Sequence, residues 1–313
     1  MGLFSLLPQE LIDEICFLSH ITAVVLLMGT CRAIRRPIQN HLLCRLRLAL
    51  GPHLSGVSFQ NFNMILRWCH GIVSGSTALA FFLGRPSWVP GDLDIYAPQS
   101  KGKNVVAFFK AEGYTVAEKG IDKDTSSSSV YDFRGGVKHT TSLRKGTLRV
   151  DVVEGTGLAA FYTISHFHST AVMNGLTGQG FFSVYPLLTT KGKSITNRLA
   201  VYPMLTRAVT TTNAIEKYKH RGFTTHEPDN NLSSHPWNGH RCGESPSCPH
   251  ALRHTRDRGC LDVIIEHNNN YEERLGWLSR ASAFPTSDVI WFLGGRWCQK
   301  QTTTLKPFAD QDF

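Results

Sequence analysis

Apolar positions recur along this chain with two periods, one helical and one strand-like. Behind Pro8, Leu11, Ile12 and Ile15 fall at helical spacing, with Glu10 placing a negative charge in the first turn. A second apolar helix is expected over 21–28, ending near Gly29 before a basic segment, and a linking helix over 59–69. The period then shortens. Residues 71–74 read as a strand, 77–83 as a short apolar helix, and 92–96 (Asp92-Leu93-Asp94-Ile95-Tyr96) as a strand with strict alternation. A helix over 105–112, a short strand at 114–116 and a polar loop over 119–130 follow. Residues 137–143 and 147–153 form a hairpin turned by Arg144-Lys145-Gly146. Later helices are expected over 158–176 and over 214–221, the second stopped by Gly222. A strand over 261–266 and a short apolar element over 288–293 complete an α/β chain.

The strand over 92–96 raises the first chemical question. Its alternation turns Asp92 and Asp94 to one face and Leu93 and Ile95 to the other. Residues two apart on a strand are only about 6.5–7 Å from each other. Carboxylates held so close repel, and one rises in pKa unless a cation neutralises them. Oxygen-only ligation of this kind suits Mg²⁺ or Mn²⁺. Upstream, Gly75 permits a tight turn and close approach to a ligand, and Ser76 offers a hydroxyl at a helix start, where free amides attract an anion such as a phosphate. The bland alternative is a solvated Asp-x-Asp strand edge.

Gly75-Ser76, a spacer, then Asp92-Leu93-Asp94-Ile95 resembles the signature of the nucleotidyltransferase fold of the DNA polymerase beta superfamily. The spacer, residues 77–91, is slightly long for that signature, and Ser74 stands where an apolar residue is common. The resemblance implies a mixed sheet with flanking helices, its core at about 71–155, and a third carboxylate from a neighbouring strand. Asp151, inside Leu148-Arg149-Val150-Asp151-Val152-Val153, is the position that matches. Its alternative is an outward-facing carboxylate paired with Arg149 or Arg134. On the resemblance, Asp92, Asp94 and Asp151 hold Mg²⁺ or Mn²⁺ and are catalytic, while Gly75 and Ser76 bind the phosphates of a nucleoside triphosphate. The implied reaction transfers a nucleoside monophosphate to a hydroxyl acceptor. The segments FHSTAVMN and EKYKHRGF are also similar to a group of uncharacterised fungal proteins with this fold.

Leu7-Pro8-x-Glu10-Leu11-Ile12-x-x-Ile15 resembles the opening of an F-box, the helical module that docks onto the Skp1 adaptor of ubiquitin ligases. That implies a helical module at 1–50, a nucleotidyltransferase-like domain at 51–224 and a loop-rich extension at 225–313. The second functional reading follows: an inactive adaptor recruiting targets to a Skp1-type partner. A sensor that binds nucleotide without turnover is a third. The first two differ in one requirement, since only an enzyme needs the three aspartates to converge.

Composition narrows the setting. The chain has 313 residues, 42% hydrophobic and 18% charged, ordinary for a globular protein. Its eight cysteines show no tight disulfide spacing, which points to a reducing, cytoplasmic or nuclear compartment. No membrane association is expected, because the apolar run at 21–28 is too short to cross a bilayer. Net charge is +9, spread without a cluster that would track phosphates, so nucleic acid is not indicated. His166 and His168, two apart, do not share a helix face. Between 225 and 260, His240-x-Cys242-x5-Cys248-x-His250 is dense in zinc-type ligands, but the spacing is no standard finger and the prolines favour a loop. Arg253, His254, Arg256 and Arg258 are candidate contacts to an acceptor or phosphate.

Overall fold

A computed structural model describes residues 7–117, 136–197, 209–227, 243–265, 282–285 and 288–294. Three helices come first, α1 (Gln9–Leu18), α2 (Ile21–Thr30) and α3 (Arg32–Leu50). The third replaces the expected basic segment. Pro37 removes one backbone hydrogen bond and masks the helix in the sequence. Burial of Ile34, Ile38, Leu42 and Leu46 along one stripe outweighs that loss.

Next come α4 (Phe59–Cys69), β1 (Ile72–Ser74), α5 (Gly75–Leu83), β2 (Leu93–Ala97), α6 (Gly102–Ala111) and β3 (Thr115–Val116). The expected hairpin is present as β4 (Val137–Lys145) and β5 (Leu148–Gly155). The expected helix over 158–176 is not. It ends after α7 (Ala160–Ile164), passes a 3-10 turn at Thr170–Val172, and becomes the strand β6 (Asn174–Leu176), paired with β7 (Gly180–Ser183). The Ser165 hydroxyl donates to the Tyr162 carbonyl at 2.7 Å, a local bond that competes with helical pairing. Residues 169–178 are all buried, and burial on every side erases the periodicity that separates helix from strand. Then follow α8 (Pro186–Thr190), β8 (Lys193–Ile195), α9 (Val209–His220), β9 (Thr224–His226), β10 (Arg253–His254), β11 (Leu261–Ile264) and β12 (Ile290–Trp291).

Eight strands form one mixed sheet in the order β11-β7-β6-β1-β2-β5-β4-β3. Within it β2 and β5 run parallel, and the other neighbouring pairs run antiparallel. Val73, Leu93, Ile95, Val150 and Val152 face α1–α6 in one apolar core that also holds Ile12, Val24, Ile38 and Leu42. On the other face Ile72 and Phe182 pack with Phe161, Phe284 and Trp291. Apolar packing therefore continues across residue 50, where a separate helical module was expected to end. Among the described residues no helix is long and apolar enough to cross a membrane, and no disulfide joins two described cysteines.

Arg45 locks the first helices to the sheet layer. Only 2% exposed, it donates from Nε to the Phe81 carbonyl at 2.6 Å and from Nη2 to the Phe82 carbonyl at 2.9 Å. Those carbonyls belong to the last turn of α5, which lacks helical partners and carries the negative end of the helix dipole. Burial lowers the guanidinium to about 10, so it stays charged at neutral pH. Gly84 leaves it room, since a Cβ there would stand 2.9 Å from Nη2. Replacing Arg45 by Ala is expected to cost about 2–4 kcal/mol, from the cavity and two orphaned carbonyls. Urea unfolding followed by tryptophan fluorescence and by circular dichroism should show this loss in a single shared transition.

Candidate metal centre

Strand pairing brings the three aspartates together. Antiparallel β1 and β2 set Ser74 opposite Asp94, and parallel β2 and β5 set Asp94 beside Asp151. Side-by-side residues on strands about 4.8 Å apart point to the same face. Asp92 precedes β2 by one residue and joins them because it lies two positions before Asp94. The Thr77 hydroxyl donates to the Asp92 carbonyl at 2.9 Å, tying that turn to the start of α5. Carboxylate oxygens of Asp92, Asp94 and Asp151 all lie within 4.8 Å of one another. Among the described residues this is the one trio of His, Cys, Asp or Glu so arranged.

Gly75 closes the site from the β1 side. Its φ of +66° is a left-handed conformation that disfavours side chains, and a Cβ there would lie 2.6 Å from Asp94 Oδ2. Ser76 follows, 2% exposed, with its hydroxyl lacking a hydrogen-bond partner among the described residues. At the start of α5, directly after Gly75, that hydroxyl and the unpaired first amides are groups that can donate to an anion. Ser74, unusual in its position, is structural: it donates to the Asn174 carbonyl at 2.6 Å.

Burial raises Asp94 to about 7, with further push from Asp92 and Asp151, while Lys217 and Arg149 act in the opposite sense. Asp151, 7% exposed, is held by Arg149 through Nη2 to Oδ2 at 2.7 Å and Nε to Oδ1 at 3.3 Å. Of the outward-facing alternative only the pairing with Arg149 is seen: Asp151 is buried and faces the other aspartates, and Arg134 lies outside the described residues. The donors fit a hard divalent ion. Two oxygens on one Mg²⁺ stand at most about 4.2 Å apart, so a small side-chain rotation brings the trio within range.

Helix α9 contributes groups that sequence reasoning left without a role. Lys217 favours ionised Asp94, and Tyr218, pushed up to about 12 by burial, also feels Asp94 and Asp92. Arg221 lies over the Trp88 ring at 3.9 Å. Nothing in the local pattern of Glu216-Lys217-Tyr218-Lys219 marks these side chains, because a distant fold contact brings them to the site. Other candidates fall away from it. Arg253 is buried in a structural network with Asp257 and the carbonyls of Pro246 and Val184. His166 and His168 belong to no metal-type trio among the described residues. Cys248, His250, His254 and Cys260 form none either, and the remaining zinc-type candidates, His235, His240 and Cys242, lie outside the described residues.

A carboxylate raised in the folded state stabilises the fold fully below its unfolded pKa, and that contribution is lost as pH rises through the folded value. In metal-free protein, stability should therefore fall between about pH 4 and about 7 as Asp94 is forced to ionise. Asp94→Asn should remove this slope and raise stability at pH 8 by about 2 kcal/mol, partial solvent access limiting the gain. Thermal melts of both proteins from pH 4 to 8 in chelator check this. Gly75→Ala should lose about 1–3 kcal/mol through its strained φ and its clash with Asp94, read in the same melts.

Comparison with protein-family models, curated proteins and solved structures finds no match to this chain.

Proposed function

We propose that the chain is a metal-dependent nucleotidyltransferase with the nucleotidyltransferase-type fold, moving a nucleoside monophosphate from a nucleoside triphosphate to a hydroxyl acceptor. The observation that carries this reading is the convergence of Asp92, Asp94 and Asp151 beside Gly75 and the orphan Ser76 hydroxyl. A scaffold gains nothing from three anions that destabilise one another.

Asp92, Asp94 and Asp151 would hold Mg²⁺ or Mn²⁺. That cation would neutralise phosphate charge and stabilise the oxygens that attack and leave. Ser76 and the first amides of α5 would donate to a phosphate oxygen, the positive end of the helix dipole turned toward it. Lys217 adds positive charge from the α9 side. In the transfer, a bond forms between the acceptor oxygen and the α-phosphorus while the bond to the pyrophosphate oxygen breaks. The acceptor proton goes to a carboxylate. Asp151 suits that role only when released from Arg149, because a carboxylate in a charged pair is a weak base.

A second reading, an F-box-type adaptor, draws on one observation. Leu11, Ile15 and Leu18 stand exposed along one side of α1, an apolar stripe at i, i+4 and i+7. Such a stripe suits a helical partner such as a Skp1-type adaptor.

Calorimetric titration with ATP, GTP, CTP and UTP, with and without Mg²⁺, tests the first reading. Binding of at least one nucleotide should require Mg²⁺ and should weaken at least a hundredfold in Asp92→Ala/Asp94→Ala. If no nucleotide binds, the transferase reading fails. Retention of a purified Skp1-type adaptor by wild type, lost in Leu11→Asp/Ile15→Asp, would then favour the adaptor.

A further inference from the structure

We infer that Arg149 is a resident counter-ion that pairs with Asp151 and must leave it for a divalent cation to bind, so that guanidinium and metal alternate on one carboxylate. This rests on the metal centre proposed above and adds a residue to its working.

Geometry carries the inference. Arg149 and Asp151 lie two apart on β5, so both point to the face that bears Asp92 and Asp94. Both Asp151 oxygens are engaged, at 2.7 Å and 3.3 Å, by two nitrogens of one planar fork. The pair is unequal in exposure: the Arg149 side chain is 45% exposed and that of Asp151 10%. Asp151 is therefore fixed in place while Arg149 has solvent to move into. A dication bound to an Asp151 oxygen would sit within a few ångströms of the guanidinium, and two cations on one partly buried carboxylate repel strongly. The fork also matches phosphate, so the displaced side chain has a natural new partner when a triphosphate arrives.

The latch has a benefit wherever no cation is bound. Three carboxylates in one place repel, and the Arg149 guanidinium 2.7 Å from Asp151 neutralises one of them. Positioning alone is a different role with the opposite signature: if Arg149 merely aimed Asp151 at the ion, removing it would weaken metal binding.

Mn²⁺ titration of the full chain, followed by electron paramagnetic resonance of the free ion, separates these cases. The proteins are wild type, Arg149→Gln, Arg149→Lys and Asp92→Ala/Asp94→Ala. Arg149→Gln should bind Mn²⁺ about tenfold more tightly than wild type. Arg149→Lys keeps the charge and loses the two-pronged grip, so it too should bind more tightly, by several-fold. Equal affinity of Arg149→Lys and wild type would overturn the latch and leave only a general charge effect. Weaker binding in either variant would overturn it in favour of positioning. If neither wild type nor any variant binds Mn²⁺, the metal centre itself fails and the latch with it. Tight binding that the double aspartate variant loses, unchanged by either Arg149 substitution, would sink the latch alone.

Discussion

The candidate site depends on one strand pairing, the parallel contact between β2 and β5. Its register places Asp94 against Asp151 and Leu93 against Val150. Because a strand alternates its side chains, a slip of one residue would turn Asp151 into the apolar core and Val150 toward the other aspartates. The apolar partners on the reverse face forbid that slip: Leu93, Ile95, Val150 and Val152 are all buried against the helices. Hydrophobic burial thus fixes the register, and the register forces together charges that repel. Burial first, and the neighbouring aspartates second, raise Asp94, and the bidentate pair of Arg149 with Asp151 is the partial relief the chain supplies from within.

Helix α5 links this site to the N-terminal helices. Its first residue, Gly75, lies against Asp94, and its last carbonyls are held by the buried Arg45 of α3. A helix pinned at one end by a buried cation presents the other end in a fixed position. The helices before residue 50 therefore act on the site by packing, whatever else their exposed apolar stripe on α1 contacts. The features from which the two functional readings grow, the acidic trio and the exposed stripe on α1, are thus joined through α3 and α5.

Much of the site was legible in the sequence, for local reasons. Period-two alternation identified Asp92 and Asp94 as sharing a face, and the family resemblance pointed to Asp151 as the third carboxylate. A glycine followed by serine ahead of an apolar run announced the turn into α5. What stayed hidden was set by distance or by uniform burial. Pro37 concealed α3, whose apolar stripe becomes visible only once its partners are known. The strands β6 and β7 lie in a stretch buried on every side, where alternation carries no signal. Lys217 and Tyr218 reach the aspartates by tertiary folding, and no spacing in their own helix foretells it. Arg149 was visible as a pairing partner that would turn Asp151 away from the others; the structure places one carboxylate in both relations at once.

The most direct test of the account is a crystal of the full chain soaked with Mn²⁺ and a non-hydrolysable nucleoside triphosphate, with anomalous scattering recorded at the manganese edge. The account predicts an anomalous peak bonded to Asp92, Asp94 and Asp151, phosphate density at Ser76 and the start of α5, and Arg149 drawn off Asp151. Manganese bound elsewhere, or an acidic trio that stays empty at saturating Mn²⁺ with Arg149 still on Asp151, would contradict it.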